Sequence, residues 1–148
     1  MRIAVGSDHA GFHLKQELAA HVVGLGHEVL DCGTHSTDRV DYPDYGAAVG
    51  RAVRDREADL GLCVCGSGIG IGIAANKIGG IRAATVHDAT SARLAREHND
   101  ANVICVGERL IGTEVAKDAV SAWLGAVFQE GRHVGRVAKL DSLGGESA

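Results

Sequence analysis

The sequence predicts a three-layer α/β fold: one domain, built on a doubly wound sheet of five parallel strands. Three observations predict it. Short apolar runs alternate with segments of helical periodicity along the chain. The run at 60–65 is apolar almost without interruption, the pattern of a strand buried on both faces. Most runs stop at glycine, and 21 glycines against a single proline suit many tight strand-to-helix turns.

Arg2 to Gly6 is the first strand, ending at Ser7-Asp8-His9-Ala10-Gly11. Leu14, Leu18, Val22 and Leu25 then recur at helical spacing, and Gly24 and Gly26 close that helix. Glu28 to Cys32 is the second strand, followed by a polar loop to Pro43. Asp44 to Arg56 is expected to form a helix burying Tyr45, Ala48, Val49, Ala52 and Val53. Leu60 to Cys65 is the third strand; it breaks into a glycine-rich turn and a small-residue helix reaching Asn76-Lys77. Ile81 to Val86 is the fourth strand and 87–99 the next helix. Val103 to Val106 is the fifth strand, ended by Gly107. Ile111, Val115, Ala119, Val120, Trp123 and Leu124 form the strongest helical stripe. The whole of 1–148 reads as one domain, with a polar tail from about Phe128 expected to be partly loose.

Strands alternating with helices imply right-handed crossovers and a sheet covered on both faces, a Rossmann-like arrangement. Such sheets bind ligands beyond the carboxyl ends of their strands, near the point where strand order reverses. The loops at 7–11, 65–72, 87–88 and 107–112 are therefore the places to look for chemistry.

Composition narrows the function. A net charge of -4 argues against a general nucleic-acid or membrane-surface binder, though not against a local basic pocket for one phosphate. No apolar stretch approaches the length of a membrane span. Met1 leads straight into strand-like sequence, so no signal peptide is expected, and Cys32, Cys63, Cys65 and Cys105 read as free thiols in a reducing cytoplasm. Cys63-Val64-Cys65 has the wrong spacing for a redox or zinc pair. Only His9 and His13 are spaced H-x-x-x-H, and no glutamate follows His9, so no metal site is expected.

Cys65 to Gly72 is the most informative segment. A glycine-rich turn between a buried strand and a helix aims several backbone N–H groups at one point, at the positive end of the helix dipole. It can cradle a phosphate or stabilise a developing oxyanion. The same field favours an anion, which makes Cys65 a candidate nucleophile or base. A small buried apolar role is the alternative for Cys65, and the better reading of Cys63, which lies on the same strand face but deeper. The glycines partly match a dinucleotide fingerprint. They follow the third strand rather than the first, however, and residues 83–86 offer no acidic partner for a ribose. Asp8 and His9 sit at a strand end where ligand contacts belong, although Asp8 also suits a helix N-cap. His98-Asn99-Asp100 is a third polar cluster. Arg132 and Arg136, four apart, would share a helix face and fork around a phosphate.

Taken in order, these segments resemble ribose-5-phosphate isomerase type B, of the family that also includes galactose-6-phosphate isomerase subunits. The matching stretches are S-D-H-A-G (7–11), D-Y-P (41–43), C-G-S-G-I-G (65–70), A-A-N-K (74–77), G-I-R-A (80–83), H-N-D-A-N-V (98–103), G-E-R (107–109) and G-R-H-x-x-R (131–136). The resemblance implies that Cys65 removes the C2 proton of an aldose phosphate and returns it to C1. Ser67 and the amides of Gly66, Gly68, Ile69 and Gly70 would cradle the enediolate. Asp8 would shuttle the proton between O1 and O2, and His98 would open the furanose ring, with Tyr42 and Asn99 on the substrate. His9, Arg109, Arg132 and Arg136 would clamp the phosphate. It further implies a cofactor-independent, metal-independent enzyme of the pentose phosphate pathway, whose sites lie between two subunits of a homodimer or of a tetramer built from dimers. Some family members replace the strand-end cysteine with a glutamate later in the turn; Ile71 stands there in this chain, which points to the thiol-dependent branch. The alternatives are an isomerase of allose or galactose 6-phosphate, a non-catalytic sugar-phosphate-binding module, or a redox protein using Cys63 and Cys65, whose geometry on one strand is poor for a disulfide.

Overall fold

The computed structural model describes residues 1–144. Five strands form a single all-parallel sheet: β1 (Arg2–Ser7), β2 (Glu28–Asp31), β3 (Leu60–Cys65), β4 (Ala83–Thr85) and β5 (Val103–Gly107), in the order β2-β1-β3-β5-β4. The helices are α1 (Phe12–Gly24), α2 (Tyr42–Arg54), α3 (Ile69–Asn76), α4 (Ala89–Asn99), α5 (Thr113–Gly125) and α6 (His133–Asp141).

Side-chain alternation along the strands divides the core in two. Ile3, Val5, Leu62, Val64, Ile104 and Val106 face α1, α4 and α5, with Leu18, Val120 and Trp123 across from them. Ala4, Cys63, Cys65, Val103 and Cys105 face α2 and α3, against Val49, Ile71 and Ala75. Every residue of β3 is buried, as its continuous apolar run predicts. Trp123 is fully buried and donates its indole N–H to the Ala101 carbonyl at 2.9 Å, so its polar atom is satisfied.

From β1 the chain leaves through α1 on one face; from β3 it leaves through α3 on the other. The adjacent strands β1 and β3 therefore part at their carboxyl ends, opening a crevice at the switch in strand order.

The boundaries depart from sequence expectation where side chains intervene. The fourth strand shrinks to three residues. The Asn76 amide pairs with both the N–H and the C=O of Ala83, and Asn102 takes the Arg82 N–H, so groups that would extend the ladder are already bonded. The second helix starts at Tyr42 rather than Asp44, because Pro43 fits the first turn, where its missing N–H costs nothing. Leu25 and Val115, both placed on helical stripes, are exposed. The tail contains α6, with His133 and Val137 buried and Asp141 held by Arg82 at 2.8 Å. The last four residues of that tail lie outside the described residues.

Candidate active site

Three strand ends deliver the site. Beyond β1, Asp8 caps a 3₁₀ turn over His9–Gly11, its Oδ1 accepting the Gly11 N–H at 3.1 Å. The capping role is real, yet it occupies only one oxygen; Oδ2 has no hydrogen bond among the described residues. The backbone N–H and C=O of Val40 lie 3.1 and 3.2 Å from His9 Nδ1. That contact fixes the ring and leaves Nε2 available to a ligand.

Cys65 ends β3 and is 4% exposed. Its Sγ accepts the Gly68 N–H at 3.1 Å. Gly68 has φ +75°, and a Cβ there would stand 2.8 Å from the Val106 backbone, so only glycine turns the chain this way. Thr85 Oγ1 donates to the Gly68 carbonyl at 2.9 Å and pins the turn to β4. Ser67 Oγ accepts the Ile69 N–H at 3.2 Å. Of the turn's amides, Gly68 and Ile69 are thus engaged by the site's own side chains. Those of Gly66, Ser67 and Gly70 have no partner among the described residues, at the positive end of α3. The Tyr42 ring lies against Gly70, where a Cβ would be 2.7 Å from it.

Beyond β5, the Glu108 N–H donates to the Cys65 carbonyl (2.9 Å) and the Arg109 N–H to that of Gly66 (3.0 Å), prolonging the β3–β5 pairing past the strands. The Arg109 guanidinium is thereby laid over Gly66, with no ion pair among the described residues. Glu108 accepts the Leu14 N–H at 2.5 Å, supplying the cap that Gly11 cannot give α1.

Asp8, His9, Tyr42, Cys65, Gly66, Ser67, Gly70 and Arg109 line one cavity of about 290 Å³. A second, of about 410 Å³, shares Asp8, His9 and Tyr42 and extends along 40–44. Gly68 lies behind the sulfur, and the Ile69 side chain is exposed. Among the described residues no group of three His, Cys, Asp or Glu side chains is placed to hold a metal ion. All four cysteines are free. Cys63 stands in register with Cys105 on β5; interaction with that neighbouring thiol, then full burial, pushes its own thiol well above the usual range.

The remaining expected residues lie elsewhere. After β4, α4 runs antiparallel to the strands and returns the chain to the start of β5. His98 and Asn99, at its end, therefore sit at the amino-terminal edge of the sheet. Val103 pairs with Gly61 there, whereas Cys65 pairs with Gly107, about 13 Å further along the strands. His98 stacks on His133, ring centroids 4.5 Å apart and planes 13° from parallel. Arg132 and Arg136 flank His133 and make no hydrogen bond or ion pair among the described residues. Asn99 opens on a separate cavity of about 330 Å³ beside α6. Within one chain the structure thus brings ten of the fourteen expected residues together, eight lining the cleft and Gly68 and Ile69 in the turn behind it, and holds His98, Asn99, Arg132 and Arg136 apart from them. His133 is the residue that sequence reasoning missed. Its signal was present in G-R-H-x-x-R, one place after Arg132 and three before Arg136.

Comparison with known proteins matches residues 3–140 to the ribose/galactose isomerase family. The chain is 50% identical over 142 residues to ribose-5-phosphate isomerase B of Escherichia coli (strain K12), covering 96% of this chain and 95% of that one. It is 40% identical to the D-erythrulose-4-phosphate isomerase of Pectobacterium atrosepticum, over 95% and 93% of the two chains. Among solved structures, ribose-5-phosphate isomerase B of Clostridium thermocellum superposes with a TM-score of 0.95 at 50% identity, covering 97% of each chain.

Proposed function

The chain belongs to the ribose/galactose isomerase family, and from that premise we propose that it interconverts ribose 5-phosphate and ribulose 5-phosphate through an enediolate, with Cys65 as the base. The Cys65 thiolate takes the proton from C2 of the open-chain aldose, and the electron pair moves to make the enediolate. The proton on O2 passes by way of Asp8 to O1, so that the C2 carbonyl forms as Cys65 returns its proton to C1. The free amides of Gly66, Ser67 and Gly70 face the oxygen on which charge develops. No atom is gained or lost in the cycle.

The observation that carries this reading is the setting of one sulfur. Cys65 Sγ sits at the tip of a fully buried strand, bonded to a turn amide, on the wall of a cleft that also holds Asp8, Tyr42 and Arg109, whose guanidinium has no ion pair among the described residues. The phosphate falls to His9 and Arg109 in that cleft together with Arg132 and Arg136, and ring opening to His98. The last three stand at the other end of the sheet. A complete site on this reading therefore takes its cleft from one copy and its α4–α6 cluster from a second, which makes the working enzyme at least a homodimer.

Cys65→Ala tests the base. Isomerisation is expected to fall at least about 10³-fold while ribose 5-phosphate still binds; unchanged turnover would reject the thiol as base. A panel of ribose 5-phosphate, erythrulose 4-phosphate, allose 6-phosphate and galactose 6-phosphate tests the sugar. The highest kcat/KM is expected on ribose 5-phosphate, and a preference for another member would reassign the substrate.

A further inference from the structure

Lys15, in the second turn of α1, is 1% exposed and has no part in the proposed chemistry. A lysine cation that deep is tolerated only when paired and hydrogen-bonded. Its Nζ donates to Asp31 Oδ1 at 2.8 Å and to the Thr34 carbonyl at 2.6 Å, and lies 5.5 Å from the centroid of the Phe12 ring. Partial burial works against the Asp31 carboxylate, but hydrogen bonds from Lys15 and Gly33 and the Lys15 charge outweigh it and hold its carboxyl below the usual range.

The contacts of Lys15 land on the backbone that carries the site. Asp31 Oδ1 also accepts the Gly33 N–H at 2.9 Å. Gly33 and Thr34 then straddle Ser7: the Ser7 N–H donates to the Gly33 carbonyl at 2.7 Å, and the Thr34 N–H to the Ser7 carbonyl at 2.8 Å. Ser7 directly precedes Asp8. Downstream, five exposed residues lead to Val40, which grips His9, and on to Tyr42. The chain thus closes a ring, from Asp8 through α1 to Lys15, across to Thr34, and back through Ser7.

We propose that Lys15 is a positioning residue that sets Asp8 and His9 by clasping the 31–34 strap to α1, an inference that rests on the roles given to those two residues above. Without Nζ the strap keeps its two bonds to Ser7 but loses its anchor on α1, and the Asp8 carboxylate shifts with it. A displacement of about 1 Å at a reacting group costs on the order of 10²-fold in rate. Cys65 itself pairs with Gly107 on β5 and accepts the Gly68 N–H, neither of which touches the strap, so the sulfur keeps its anchoring while Asp8 moves.

The test uses the full-length enzyme with Lys15→Met and, in parallel, Lys15→Gln. Turnover of ribose 5-phosphate and the rate of Cys65 alkylation by iodoacetamide are measured on folded protein. For Lys15→Met, kcat is expected to fall about tenfold to a hundredfold with the alkylation rate unchanged, and Lys15→Gln to fall between it and the parent. A purely structural lysine would lower the melting temperature and leave the kcat of the folded fraction alone. A folded Lys15→Met with kcat within about twofold of the parent overturns the proposal, as does alkylation that changes in step with kcat. Should Lys15→Met not fold, Lys15→Gln decides on the same two readouts. A parent protein that turns over no ribose 5-phosphate would instead overturn the functional reading itself.

Discussion

The two ends of the sheet are built on opposite principles. At the carboxyl end, β3 is buried throughout and the turn after it is fixed from every side: Gly68 by Thr85, Cys65 by Gly68, Gly66 by Arg109. Few of these groups can move alone. At the amino end, the chemistry-bearing residues stand on the last turn of α4 and the exposed face of α6, where Arg132, Arg136 and Asn99 face solvent. On the proposed function the first region holds the base and the oxyanion cradle in place; the second presents cations and a stacked imidazole pair that meet no part of the cleft among the described residues. On that reading one region supplies reaction geometry and the other supplies charge. Since a parallel sheet with returning helices keeps its two edges apart, one chain cannot bring them together.

The largest effect expected from that division is complementation. Chains carrying Cys65→Ala, and chains carrying Arg132→Ala with Arg136→Ala, should each be nearly inactive. Mixed under conditions that exchange subunits, they should recover about a quarter of the parent activity, because half the dimers are hybrids with one intact site of two. A mixture no more active than its components would place the complete site within a single chain.

How much of this was legible in the sequence follows the same division. The glycine turn, the strand tip and the residues after β1 and β5 announce themselves locally, because a strand-to-helix turn needs glycine at positive φ and the ligand end of a parallel sheet is fixed by chain direction. The strand order was not legible. Nothing local to Ile81–Val86 shows that β4 is placed outside β5, or that Asn76 and Asn102 cut it short. Residues 128–141 read as polar tail because α6 buries only His133 and Val137, too few apolar positions to show a stripe. Lys15 was hidden for a related reason. Between Leu14 and Leu18 it looks like a solvated helix position, and only the path of residues 31–34 across the face of α1 buries it.

A smaller effect separates the two regions by pH. Burial, followed by the charges of Arg132, His98 and Arg136, lowers the pKa of His133 from the ordinary value of 6.5. The folded chain therefore resists a proton that the unfolded chain accepts. Above 6.5 the residue costs nothing. As pH falls below that value the unfolded state gains the proton first and stability declines, levelling once the folded-state pKa is passed. Melting temperature should drop more steeply in the parent than in His133→Asn between about pH 6.5 and 5; parallel curves would mean that His133 takes up its proton as readily in the folded chain as in the unfolded one.

The smallest effect probes the rigid end, and there the expected sign is favourable. Ser7 ends β1 with its side chain on the α1 face of the sheet, wholly buried, and its Oγ finds no hydrogen-bond partner among the described residues. Its structural task is done by its backbone, which pairs with Gly33 and Thr34. A buried hydroxyl left unpaired carries a desolvation cost of about 1 kcal/mol or more. Ser7→Ala removes that cost, keeps both backbone bonds and leaves a void the size of a single atom. Denaturant unfolding should therefore show stability unchanged or raised by up to about 1 kcal/mol, with kcat preserved. A clear loss of stability would mean that the hydroxyl is satisfied in solution. A loss of kcat at unchanged stability would mean that the hydroxyl, and not only the peptide beside it, sets the position of Asp8.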